Sequence, residues 1–197
     1  MQGAHASTRI VAGKRRELWR DNPMNEPPGS TPVDPDNVCL AYLSCPQDGA
    51  KGYLGALLVT DGRTRPLHFG YVAPVRPTIM QRILYGRTLD VHVKMDVIAR
   101  KLVQDGISKV PDVLFVDAKD LLAARPIFNV PTARLTRPEA KQSGVTISTY
   151  RYDAGGRAQD EEAVGRIVTA LEQTVDLLDP FKRMEEALKE ALKELSK

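Results

Sequence analysis

The sequence predicts an α/β domain with a mixed sheet, in which an antiparallel three-strand meander is followed by α/β units and a C-terminal helical pair. Three observations carry this. Stretches 38–45, 53–60 and 113–116 are apolar at consecutive positions, as in strands covered on both faces. Two helical patterns, 78–86 and 90–105, separate the third strand from 113–116. From Asp160 onward, apolar residues recur at helical spacing in two successive stripes.

After 38–45 and 53–60, Asp61 and Gly62 supply a turn signal, and 66–73 returns with Leu67, Phe69 and Tyr71 on one face. Pro74 and Pro77 bracket the exit. Thr78 is placed to cap a helix that Gly86 stops. The second helix puts Val91, Met95, Ile98 and Leu102 toward the core, turns Lys94, Arg100 and Lys101 outward, and ends at Gly106. Pro111 and Asp112 lead into the next strand, Asp117 closes it, and Asp120 opens a helix at Leu121 and Leu122. Further strands are expected over 126–130 and 145–152, with Gly155 and Gly156 in a loop. Val164, Ile167, Val168, Leu171, Val175 and Leu178 then share a helical face. Asp179 and Pro180 open a last helix with the stripe Phe181, Met184, Leu188, Leu192 and Leu195. That helix is too short to stand alone, so the stripe needs its own domain, a protein partner or a second copy.

These elements divide the chain into a Pro-rich, basic arm and linker (1–37), an α/β domain (38–178) and an amphipathic C-terminal helix (179–197). Five prolines between 23 and 35 predict a disordered linker over 23–36, and 9–20 is a candidate short basic helix carrying Trp19. At 42% hydrophobic and 27% charged residues, the composition is that of a globular protein. No apolar run reaches the roughly 18 residues of a membrane span, and no signal-peptide pattern opens the chain, so a cytoplasmic location is expected. Cys39 and Cys45 are too far apart along an extended strand to pair, and are read as core.

Charge is unevenly spread. Nine basic residues face four acidic ones over 61–109, whereas ten acidic face six basic over 160–197. Such a balance suits nucleic-acid contact or the pairing of unlike faces between copies. Arg76, Arg82, Arg87, Arg100 and Lys101 are the candidate phosphate contacts, and Tyr85 could stack on a base. Arg76 precedes a helix N-terminus, where backbone N–H groups favour anions.

Other chemistries find little support. No glycine-rich phosphate loop or nucleophile elbow occurs, and three scattered histidines do not make a zinc site. His68 is expected as a packed sheet residue and His92 as an exposed helical one.

The element order over roughly 38–178 resembles that of the ribonuclease H-like superfamily, and 111–117, Pro-Asp followed by an apolar run and Asp, is similar to a strand of endonuclease V-like members. The resemblance implies carboxylates from the first strand, a helix and the fourth strand holding Mg²⁺ or Mn²⁺ for phosphodiester attack. Asp117 matches the fourth-strand position, Asp120 lies beside it, and Asp61 would join if the meander brought its turn close. The first strand departs from the pattern, for 38–45 has no carboxylate and Asp48 lies past its end. We therefore expect a protein that binds rather than catalyses and has no resident metal or cofactor. Its basic face would contact nucleic acid, and its C-terminal helix a protein partner or second copy. The alternative is an Mg²⁺- or Mn²⁺-dependent nuclease using Asp117, Asp120 and Asp61.

Overall fold

The computed structural model describes residues 33–48, 52–107, 109–138 and 149–195. The expected helix at 9–20, the linker up to residue 32 and the first part of the strand expected over 145–152 lie outside these. So do the side chains of Asp48 and Leu195.

Seven strands form one mixed sheet: β1 (Cys39–Ser44), β2 (Gln47–Asp48), β3 (Gly52–Asp61), β4 (Pro66–Val75), β5 (Val113–Val116), β6 (Thr132–Thr136) and β7 (Arg151–Asp153). β2 continues the line of β1 along β3, so the order across the sheet is β4, β3, β1, β5, β6, β7. The meander β1, β3, β4 is antiparallel, β5 and β6 run parallel to β1, and β7 closes the far edge antiparallel. The carboxyl ends of β1, β4, β5 and β6 therefore share one rim of the sheet.

Alternation along the strands explains why they read as apolar throughout. Cys39, Ala41, Leu43, Leu57, Val59, Leu114 and Val116 face the helices of 89–104 and 119–128. Leu40, Tyr42, Ala56, Leu58, Phe115 and Leu135 face the C-terminal helices. Both faces are buried, as a three-layer architecture requires. Cys39 and Cys45 are free thiols in the first layer.

After β4 come a short helix, α1 (Ile79–Tyr85), and a continuous helical stretch over 86–104. The middle of that stretch, His92–Ala99, is π-helical, between α2 (Leu89–Val91) and α3 (Arg100–Gln104). A π turn holds more residues than an α turn, and this shifts the buried phase. Val93 joins Met95, Ile98 and Leu102 in the core, while Val91, expected there, is exposed. The stretch lies against bare backbone at Gly55, where a Cβ would sit 2.1 Å from Ile98 Cγ2.

The strand expected over 126–130 is instead helical. A 3₁₀ turn (Lys119–Ala124) runs into α4 (Arg125–Phe128), and the strand follows as β6. Pro126 lies in the first turn of α4, where its missing N–H costs nothing, and Asn129 closes the helix in the left-handed region at φ 53°. The linker expected to reach residue 36 also ends earlier. Asn37 and Val38 N–H groups both bond Asp34 O at 3.0 Å, and Arg63 Nε pairs with Asp36 at 2.9 Å.

α5 (Ala158–Leu171) and α6 (Asp179–Leu195) cover the second face. Here the partner-binding stripe is corrected. Met184 and Leu188 are buried, and the Phe181 ring meets Tyr42 edge-on at 5.2 Å. Leu192 is half-buried. For Phe181, Met184 and Leu188 the covering surface is the chain's own sheet. Asp160 ties the layers together, accepting Arg125 Nε at 3.1 Å and Nη2 at 3.2 Å and the Thr132 N–H at 3.4 Å. No described helix is long and apolar enough to cross a membrane.

Candidate functional site

The rim formed by the strand ends carries two groupings of side chains. At its centre, the parallel pairing of β1 with β5 sets Leu43 beside Val116 and brings the next residues together. Ser44 Oγ donates to Asp117 Oδ2 at 2.5 Å, and Lys94 Nζ, from the π-helical segment, donates to Asp120 Oδ2 at 2.6 Å. Arg134 Nε reaches the Asp117 backbone carbonyl at 3.3 Å. Asp117 is exposed as a whole residue, yet the crowding around its carboxyl pushes it above the usual carboxylate range. The Ser44 hydrogen bond and Lys94 oppose that rise, and Asp120 adds to it. Burial also pushes the Cys45 thiol far up, which keeps it protonated and unreactive.

Asp61 does not join this grouping. It pairs with Cys39 at the opposite end of β1, five residues from Ser44 and so roughly 16 Å away at the usual rise per strand residue. Its carboxylate accepts the Arg63 and Arg65 N–H groups at 3.0 and 2.9 Å and Arg65 Nε at 2.6 Å. Burial pushes this carboxyl up, but those bonds outweigh burial and hold it below its ordinary value. Asp61 is a turn anchor. Among the described residues, no group of three or more His, Cys, Asp or Glu side chains is placed to hold a metal ion. Lys94, expected to face away from the core, instead brings a fixed positive charge to the strand ends.

The second grouping is the corner at 76–92, beyond the end of β4. Thr78 and Gln81 form a reciprocal capping box at 3.2 and 2.8 Å, so α1 is well started. Pro77 is buried, and Arg82 Nε reaches its carbonyl at 3.4 Å. At the other end, the Tyr85 and His92 rings stack 4.2 Å apart, and Thr88 Oγ1 donates to the Tyr85 carbonyl at 2.8 Å. The Tyr53 hydroxyl bonds Asp90. The corner is thus held from both sides, yet α1 buries none of its own residues. Ile79 is 79% exposed, Met80 64%, Ile83 70% and Leu84 74%, and Val91 and Tyr85 extend the patch.

The six candidate nucleic-acid contacts separate. Arg76, Arg82, Tyr85 and Arg87 belong to this corner and are exposed. Arg100 pairs with Asp96 at 3.1 Å and Lys101 with Asp105 at 2.7 Å, farther along the helix. His68 is buried in β4, and that burial pushes its imidazole down, as suits a packed sheet residue. Sequence reasoning missed the apolar side of α1. The available signal was a helix of seven residues between Pro77 and Gly86, four of them large and apolar, followed at once by a second helix with its own core face.

No model of a known protein family matches the chain, and no curated protein matches it.

Proposed function

We propose that this protein works by binding, and that its recognition element is the α1 corner. One observation carries the proposal: a helix capped and braced at both ends that buries none of its residues and holds four large apolar side chains in solvent. Monomers rarely keep such a patch without use for it. The strand order, three antiparallel strands followed by two parallel ones, supports the resemblance to ribonuclease H-like domains. Two features support a reading without catalysis: β1 offers Ser44 where a carboxylate would be needed, and Lys94 already neutralises Asp120.

Nucleic-acid contact at the same corner is the second reading, favoured by exposed Arg76, Arg82 and Arg87 around a partly open Tyr85 ring. It predicts binding of labelled DNA or RNA that weakens steeply with salt and is lost in Arg82→Glu/Arg87→Glu.

The test of the main proposal is a thermal melt of Ile83→Ser/Leu84→Ser. Substitutions at exposed positions change stability by about 0.5 kcal/mol or less each, so the midpoint should stay within about 3 °C of the parent. A fall of about 8 °C or more would mean that the chain itself covers these side chains, and the proposal would fail. Incubation with DNA and RNA in Mg²⁺ or Mn²⁺ should leave both intact. Cleavage abolished by Asp117→Asn would replace this reading with the nuclease.

A further inference from the structure

We propose that the α1 corner docks an acidic, amphipathic helix of a protein partner. This names the partner class for the binding function above and rests on it. Ile79 with Ile83 and Met80 with Leu84 are spaced i,i+4, so they form two adjacent rows along one helix. Tyr85 and Val91 continue the apolar surface toward the next helix. Rows of this kind accept the apolar stripe of another helix.

Charge decides what surrounds that stripe. α1 contains no acidic residue, and Arg82 lies in its last turn, with Arg76 before it and Arg87 after it. The nearest acidic residue along the chain, Asp90, accepts the Tyr53 hydroxyl and keeps its charge, so over 76–92 three arginines stand against one carboxylate. With this net positive charge, a partner that desolvates the corner is favoured by carboxylates at its edges, whereas a basic one would meet net repulsion.

The same observations argue against other occupants. Leu67 is the one large exposed hydrophobic among the described residues that lies outside the α1 corner. With its described residues, a second copy could match the patch only through its own α1, setting Arg82 and Arg87 of each copy against those of the other. Among the described side chains, the exposed side of α6, which carries Glu185, Glu186, Lys189, Glu190 and Lys193, has no large apolar residue. The chain's segment 9–20 has five basic residues against one acidic, so it brings the wrong charge. Nucleic acid would satisfy the arginines but leave four aliphatic side chains uncovered. The braces at Thr78, Pro77 and Tyr85 fix the corner before binding and lower the ordering cost of association.

The experiment titrates the full chain against three labelled synthetic helices: Leu on one face with Glu on its flanks, the same peptide with Lys for Glu, and the Glu peptide with Ser for Leu. The Leu/Glu peptide should bind. Ile83→Ser/Leu84→Ser and Arg82→Glu/Arg87→Glu should each weaken it about tenfold or more. The Lys peptide should bind the parent at least about tenfold more weakly and gain affinity for Arg82→Glu/Arg87→Glu. Unchanged melts of both variants would show that the losses are local. Equal binding of the Glu and Lys peptides overturns the acidic partner. If Ile83→Ser/Leu84→Ser still abolishes both, α1 remains a docking surface. Binding that neither variant affects, or no binding of the Leu/Glu peptide, also overturns the proposal, and the melt described above then judges the binding function separately.

Discussion

Asp160→Ala removes the carboxylate that joins α4, β6 and α5. Asp160 is 3% exposed, and its two oxygens accept both Arg125 nitrogens and the Thr132 N–H. Removing one partner of a buried ion pair costs about 3–5 kcal/mol, because the other charge is left without compensation. Here the Arg125 side chain is 29% exposed and regains part of its hydration, which places the loss near the lower end, at about 3 kcal/mol. In a domain of this size each kcal/mol shifts the midpoint by about 2–4 °C, so the melt should fall by about 6–12 °C. Circular dichroism melts at pH 7, repeated in urea, measure this. Replacing Arg125 and Asp160 together by leucine should cost less than Asp160→Ala, since no unpaired charge remains. A midpoint within about 1 °C of the parent for Asp160→Ala would refute the reasoning.

Three further outcomes follow from packing and charge. The Tyr42 hydroxyl is buried and finds no hydrogen-bond partner among the described residues, so Tyr42→Phe should leave stability unchanged or raise it by up to about 1 kcal/mol in urea unfolding. Gly55→Ala should cost about 1–3 kcal/mol by forcing Ile98 away, and in Gly55→Ala/Ile98→Ala the two losses should add to less than their sum. Burial raises the Asp117 carboxyl, so the native state holds its proton to higher pH than the unfolded chain does. Its contribution to stability therefore falls as pH rises from the ordinary carboxyl value through the raised one, and the cost is complete above that. Asp117→Asn should be neutral or stabilising at pH 7 and should remove this portion of the pH dependence. Asp61 acts with the opposite sign, its contribution being lost as pH falls through its lowered value. A less stable Asp117→Asn at pH 7 would contradict the burial cost.

β1, β3 and β5 were legible because they are apolar at nearly every position, which a doubly covered sheet requires. Thr78 and Gly86 marked α1 by local chemistry alone, and the structure adds Gln81 to complete the capping box. Where two local signals competed, pattern misled. Ile127, Phe128 and Val130 suggested a strand, although Pro126 and Asn129 are the opening and closing residues of a short helix. The π-helical segment moved Val91 out of the core and turned Lys94 toward Asp120, a change of phase that a period of 3.6 does not anticipate. The remaining differences concern what lies over a face rather than the face itself. Periodicity identifies an apolar stripe but not its cover: the α6 stripe, read as a partner surface, packs Phe181, Met184 and Leu188 on the sheet, while the α1 rows, which sequence reasoning missed, meet solvent. The separation of Asp61 from Asp117 likewise depends on strand register, which three-dimensional pairing sets.

The central claim, that the apolar side of α1 is open rather than covered by the chain itself, is tested most directly by thiol labelling. Both native cysteines are buried, and burial pushes the Cys39 thiol up to about 12, so the parent should react with a maleimide only on unfolding. In Leu84→Cys, one thiol per chain should label at close to the rate of free cysteine. Labelling about a hundredfold slower than free cysteine, in protein that melts like the parent, would show that α1 is covered and contradict the claim.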